Sequence, residues 1–105
     1  MNWVKININR QNIKLMTDRA VMIAMPHKSR YDGYVFWHPL SLLEDGPTQI
    51  SSTLVYRSDS PIELIKYGKR QNVLDRITIS RNDWEEAMST MNDNIIEKWA
   101  SKQKL

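Results

Sequence analysis

Ala20-Val21-Met22-Ile23-Ala24-Met25 is an unbroken apolar run closed by Pro26. A strand wetted on one side alternates apolar with polar, so a run apolar on both faces belongs at the centre of a sheet covered above and below. Pro26 ends it because proline has no ladder N–H. Asp32-Gly33 is then a strong turn dipeptide. Tyr34-Val35-Phe36-Trp37 resumes with residues that strands favour, and Pro39 stops it. A hairpin closed around Asp32-Gly33 puts Met25 near Tyr34 and His38 opposite about Val21. Alternation sends Tyr34, Phe36 and His38 to one face and Val35 and Trp37 to the other.

The rest of the chain builds around this pair. Trp3 to Ile8 alternates, with Val4, Ile6 and Ile8 on one face, and Ile13-Lys14-Leu15 resumes after the polar break at residues 9–12. Leu40 to Leu43 reads as a helical turn or an irregular packed segment, and Glu44-Asp45-Gly46-Pro47 as a loop. Ile50–Arg57 and Ile62–Tyr67 flank Ser58-Asp59-Ser60-Pro61 and read as a hairpin. Val73–Ile79 is a further strand. Trp84, Met88, Met91, Ile95 and Trp99 form one stripe at helical spacing. Ser80 with Asp83 has the spacing of a capping box. Asp83, Glu85 and Glu86 near the start, with Lys98, Lys102 and Lys104 near the end, suit the helix dipole. A helix of about 20 residues would span roughly 30 Å.

These elements predict an α+β fold: a mainly antiparallel sheet of five or six strands with one long C-terminal helix packed on one face. The expected organisation is a single domain over 1–105, mainly β in 1–79 and helical in 80–102. The helix needs an apolar face, and Val35 with Trp37 suits it. That leaves Tyr34, Phe36 and His38 as interface candidates, to be covered by Leu40–Leu43 and the following loop, a second subunit or a ligand. Coverage by the chain itself is favoured. A homodimer could form across this face, or through Ile96 and Ala100 on a second side of the helix.

The absence of Cys excludes a disulfide framework, a thiol nucleophile and thiolate metal sites. No apolar run approaches the ~18 residues of a membrane span, and the alternating start is unlike a signal peptide. The expectation is a cytoplasmic protein without a membrane partner. His27 and His38 cannot share a metal in this register, because they would lie about 20 Å apart at ~3.3 Å per residue. No metal and no cofactor are expected. His38 could alone act as a general base with Glu44 or Asp45 orienting it. No serine elbow, phosphate loop or carboxylate pair accompanies it, so a filler histidine bonded to a loop carbonyl is the simpler reading.

The net charge is +3, and the excess lies in residues 1–80, with 11 Lys/Arg against 7 Asp/Glu. Two loops combine cations with a tyrosine: Lys28, Arg30 and Tyr31, then Lys66, Tyr67, Lys69 and Arg70. Cations neutralise phosphates and an aromatic face stacks on an unpaired base, so these are the nucleic-acid candidates. Neither loop matches an established nucleic-acid motif, and hairpin tips are commonly charged because they are solvated.

Lys5-Ile6-Asn7, the run Ala20–Pro26, and Tyr31-Asp32-Gly33 leading to Phe36-Trp37-His38-Pro39 give the first ~45 residues a resemblance to small uncharacterised proteins carried on phages and plasmids of Gram-positive bacteria. The resemblance implies a mobile-element accessory protein, of a kind that binds host proteins or nucleic acid and seldom catalyses. The leading expectation is a non-enzymatic binding module with a host protein as partner, an inhibitor of a defence nuclease being one form. A nucleic-acid binder and a small enzyme using His38 as base are the alternatives.

Overall fold

The computed structural model describes residues 3–89. It is α+β, with eight strands in two antiparallel sheets and a helix. The strands are β1 (Trp3–Asn9), β2 (Ile13–Met16), β3 (Ala20–Ala24), β4 (Val35–Pro39), β5 (Leu43–Asp45), β6 (Ser51–Arg57), β7 (Ile62–Tyr67) and β8 (Val73–Ile79). Helix α1 covers 81–89. The smaller sheet runs β1-β6-β5 and the larger β2-β3-β4-β7-β8.

Two sheets replace the single one expected from the sequence, and two short corners are the reason. The polar break Arg10–Asn12 forms a 3-10 turn, with Asn9 Oδ1 accepting from the Gln11 N–H. It carries the chain from β1 in one sheet to β2 in the other. Leu40–Leu42 forms a second 3-10 turn that moves the chain from β4 to β5. Glu44 and Asp45, expected in a loop, therefore lie in β5. The expected hairpin of 50–57 with 62–67 is also corrected. The chain does reverse, with Ser60 N–H on Arg57 O at 3.4 Å, but β6 pairs with β1 and β5 while β7 pairs with β4 and β8. A turn signal fixes a reversal of direction, not the strand partner.

The central hairpin has the register set by its turn: Val21 opposes His38, Met22 opposes Trp37 and Ile23 opposes Phe36. Gly33 holds φ +91, where a Cβ is disfavoured, and Met25 N–H donates to Tyr34 O at 2.9 Å. The core face is the reverse of the one expected. Phe36 and His38 are buried at 0% and 4% exposure, whereas Trp37 is 36% exposed. Phe36 and His38 are thus core residues and not a free interface. Tyr34, half-buried, keeps its place at the margin, where its hydroxyl meets the Asp75 carboxylate.

Trp84 of α1 covers this face. Its ring meets Phe36 edge-on at 5.5 Å and Tyr56 at 4.8 Å, so one indole touches a strand of each sheet. Ile8 and Leu54 from the small sheet join Val21, Ile23 and Leu64 from the large one in the same core. Ser80 Oγ accepts from the Asp83 N–H at 3.1 Å, the expected cap, and this orients the first turn. Trp84 and Met88 of the helical stripe are buried as expected. Met91, Ile95 and Trp99, the expected extension to residue 102, and the second-side residues Ile96 and Ala100 lie outside the described residues.

Trp84→Ala should cost about 3–5 kcal/mol of unfolding free energy, because it removes an aromatic group that both sheets pack on. Trp37→Ala should cost less, about 1–2 kcal/mol, as expected for a side chain that is 36% exposed and outside the core. Urea unfolding of both variants checks the assignment of faces, and equal losses would contradict it.

Candidate functional site

β4 and β7 pair at one position, Val35 with Ile65. The bonds from Met25 N–H to Tyr34 O and from Leu40 N–H to Arg19 O turn the polar backbone of alternate residues toward β3. The N–H and C=O of Val35 and Trp37 therefore point the other way, toward β7. Beyond Val35 the two strands part. A cleft of about 330 Å³ opens between them, with Trp37 and Pro39 on one side and Pro61 and Glu63 on the other. Trp3 and Arg57, cross-strand neighbours at the end of the small sheet, close one margin, and Arg81 at the start of α1 closes another. Trp3 is 60% exposed.

Arg81 is fixed by its surroundings. Its guanidinium lies 5.1 Å from the Tyr56 ring and 4.8 Å from the Trp84 ring, and its Nε donates to Ser60 O at 2.8 Å. Burial lowers its pKa, opposed by the nearby Tyr56 and Glu85. Tyr56 donates to Glu85 at 2.8 Å, and burial together with this carboxylate pushes its phenol well up.

His38 lines the floor of the cleft. One ring nitrogen meets Leu42 O at 3.1 Å, the loop-carbonyl partner expected of a filler histidine. Burial lowers its pKa, and the Arg81 charge adds to the effect against the carbonyls of Leu42 and Val55. Glu44, one carboxylate expected to orient it, instead pairs with Lys5 at 3.1 Å, and Asp45 pairs with Arg10 at 3.1 Å. His27 sits on the turn with its ring 2.8 Å from Asp32.

The two basic loops do come together. A Cβ on Gly33 would lie 3.3 Å from Lys66 Cε, and Lys66 Nζ stands 4.9 Å over the Tyr34 ring. Tyr31 has no open ring on which a base could stack, which corrects the sequence expectation for the first loop. Tyr31 is buried in the core with its hydroxyl accepting from Arg30 at 2.7 Å. Tyr67 is half-buried, and its hydroxyl accepts from Trp37 Nε1 at 3.3 Å. Acidic residues are interleaved: Asp83 lies 3.8 Å from Arg30, and Asp75 holds Tyr34 beside Lys66. Lys28, Lys69 and Arg70 are exposed.

A second, larger cleft of about 700 Å³ lies against Arg10, Met16, Leu43 and Asp45. Its cation is committed to the fold. Arg10 Nε donates to Ser51 O at 3.0 Å and Ser52 Oγ at 3.3 Å, while Nη2 meets Asp45.

Sequence reasoning missed Trp3, Arg57 and Arg81. A signal for Trp3 exists, since the alternation that buries Val4, Ile6 and Ile8 sends Trp3 outward with Lys5 and Asn7. No family model, curated protein or solved structure matches the chain. Among the described residues no helix is long and apolar enough to cross a membrane.

The depressed His38 pKa has a defined consequence. The unfolded chain binds this proton more tightly than the native one, near the ordinary 6.5. The associated stability is therefore present above that pH and lost as pH falls toward the lowered native value. Thermal unfolding between pH 7.5 and 5 should show this loss, and His38→Gln should flatten it. A native His38 resonance that titrates at 6.5 or above would contradict the burial argument.

Proposed function

We propose that this chain is a non-enzymatic binding module, an accessory protein of a mobile element, that engages a host protein through the cleft between β4 and β7. The observation that carries the reading is the exposed pair Trp3 and Trp37 beside Arg57 and Arg81. Tryptophan and arginine are the residue types that dominate interface energetics, and a cleft is where such side chains gain most from excluding water. A solvated surface has no need of two tryptophans. The cytoplasm is the compartment that suits a host-protein partner and a chain without cysteine. Inhibition of a host defence enzyme is one outcome such binding would have.

Catalysis by His38 draws little support from its surroundings. Its ring is buried at 4% exposure and one nitrogen is occupied by a main-chain carbonyl. Nucleic-acid binding is the second reading, favoured by one observation: Lys66 and the Gly33 turn are in contact, so Lys28, Lys69 and Arg70 belong to one end of the molecule. The acidic neighbours Asp32, Asp75 and Asp83 weaken it.

Capture from nuclease-treated host lysate separates the two. The protein reading expects a retained partner that Trp37→Ala loses and that Lys69→Ala/Arg70→Ala keeps. Capture that disappears with nuclease, or that depends on Lys69 and Arg70 and not on Trp37, would overturn it.

A further inference from the structure

β1 is a seven-residue strand at the edge of the small sheet, and among the described residues no strand pairs with its outer side. The Arg10 N–H donates to Ile50 O at 2.8 Å, in the register that continues the β1–β6 ladder. Antiparallel bonds alternate along a strand, so Val4, Ile6 and Ile8 direct their backbone N–H and C=O to β6. Trp3, Lys5, Asn7 and Asn9 direct theirs outward. An edge of this length is a template for another strand unless charge, proline or a bulge guards it. β1 has no proline and no shift in register. Its one charge is drawn the other way: Lys5 Nζ reaches past β6 to Glu44 of β5 at 3.1 Å. Asn7 is also turned inward, its Oδ1 accepting from Thr53 Oγ1 of β6 at 2.7 Å. The other edges are guarded. β5 is three residues long with two carboxylates, β2 is four residues with a shifted register, and β8 carries Asp75 and Arg76 at its middle.

We propose that β1 pairs antiparallel with β1 of a second copy of this chain, joining the two small sheets into one continuous sheet. Two identical strands related by a two-fold axis place one residue opposite itself, and overlap of the whole strand puts Ile6 there. Ile6 has its polar backbone toward β6, so it meets Ile6 of the second copy as a non-hydrogen-bonded pair, the closely spaced kind. Lys5 then pairs with Asn7 of the second copy and Trp3 with Asn9, and these are the residues whose N–H and C=O point outward. Backbone polarity and side-chain register agree. On the core face Val4 meets Ile8 of the second copy, so the apolar row runs on through the axis and covers Val4 and Ile6, which one chain leaves half-buried. On the outer face no like charges stand opposite, since each Lys5 faces an Asn7. The same operation on β8 centres on Arg76 and sets two guanidiniums against each other. This self-match is what points to a second copy as the occupant, because an unrelated segment has no reason to reproduce it. The inference goes beyond the host-protein reading and does not depend on it, since it uses the backbone edge of β1 and not the cleft.

Sedimentation equilibrium of the full chain at low salt, up to about 1 mM, measures the association. Asn7→Glu sets a carboxylate opposite Lys5 of the second copy, and Asn7→Lys sets a second ammonium there. Both lose the Thr53 bond equally, so the difference between them reports the interface. Two symmetry-related pairs act together, so Asn7→Glu should tighten the dimer about fivefold and Asn7→Lys weaken it about fivefold. The chain has no cysteine, so a single introduced thiol reports on one position. Ile6→Cys should give a disulfide-linked dimer on mild oxidation, because the central pair brings two Cβ atoms within disulfide range. Leu74→Cys, on exposed β8, should not cross-link. Ile6 packs on the core, so the Asn7 substitutions keep the proposal testable if Ile6→Cys unfolds. Exchange of the Lys5 and Asn7 amides should speed up on dilution as the dimer separates. A monomer throughout the range, equal effects of the two Asn7 substitutions, or cross-linking of Leu74→Cys in preference to Ile6→Cys overturns the proposal. So does protection of the Lys5 and Asn7 amides that dilution leaves unchanged, because the edge would then be covered within one chain.

Discussion

The Trp84 indole is the contact on which the rest of the molecule depends. Each sheet has one face that must leave water, and neither is large enough to bury it alone. Phe36 from the five-stranded sheet and Tyr56 from the three-stranded sheet both present edges to Trp84, at 5.5 Å and 4.8 Å. Edge-to-face geometry aligns the positive rim of one ring with the negative face of another, which adds about 0.5–1.5 kcal/mol per pair to the area buried. The helix is thus the piece that both sheets share, and its cap at Ser80 sets where that piece begins.

The cleft follows from the same packing. Helix α1 must enter over Phe36 and Tyr56, so its first residue, Arg81, arrives beside the divergence of β4 from β7. The antiparallel pairing of β1 with β6 sets Trp3 opposite Arg57, so both come to one end of the small sheet. His38 is caught between these demands. It occupies a core position of β4, and the Arg81 charge that the helix brings reinforces its neutral state. Core and cleft are therefore coupled through one helical turn, in which Trp84 packs in the core and Arg81 lines the cleft.

Much of the strand inventory was legible in the sequence, and so was the central hairpin, because Asp32-Gly33 and Pro26 leave one register that pairs an apolar run with an aromatic one. The choice of face was not. Val35/Trp37 and Phe36/His38 are both apolar enough to be core, and periodicity states which residues share a side without stating which side is dry. The placement of β6 and β7 in different sheets was equally hidden, since the turn at 58–61 says that the chain reverses and leaves the partner open. Arg57 and Arg81 carry no local signal, because they line one cleft only after β1 pairs with β6 and α1 docks. Trp3 was the exception, an outward tryptophan in an alternating strand.

If one indole joins both sheets, the molecule opens as one unit. Native-state hydrogen exchange tests this directly, by comparing the Trp84 indole proton with the amides of Leu54 in the small sheet and Ile23 in the large one. A single cooperative core predicts one shared opening free energy and the same denaturant dependence at all three sites. Exchange of Leu54 through a lower-energy opening, while Ile23 and the Trp84 indole stay protected, would contradict it.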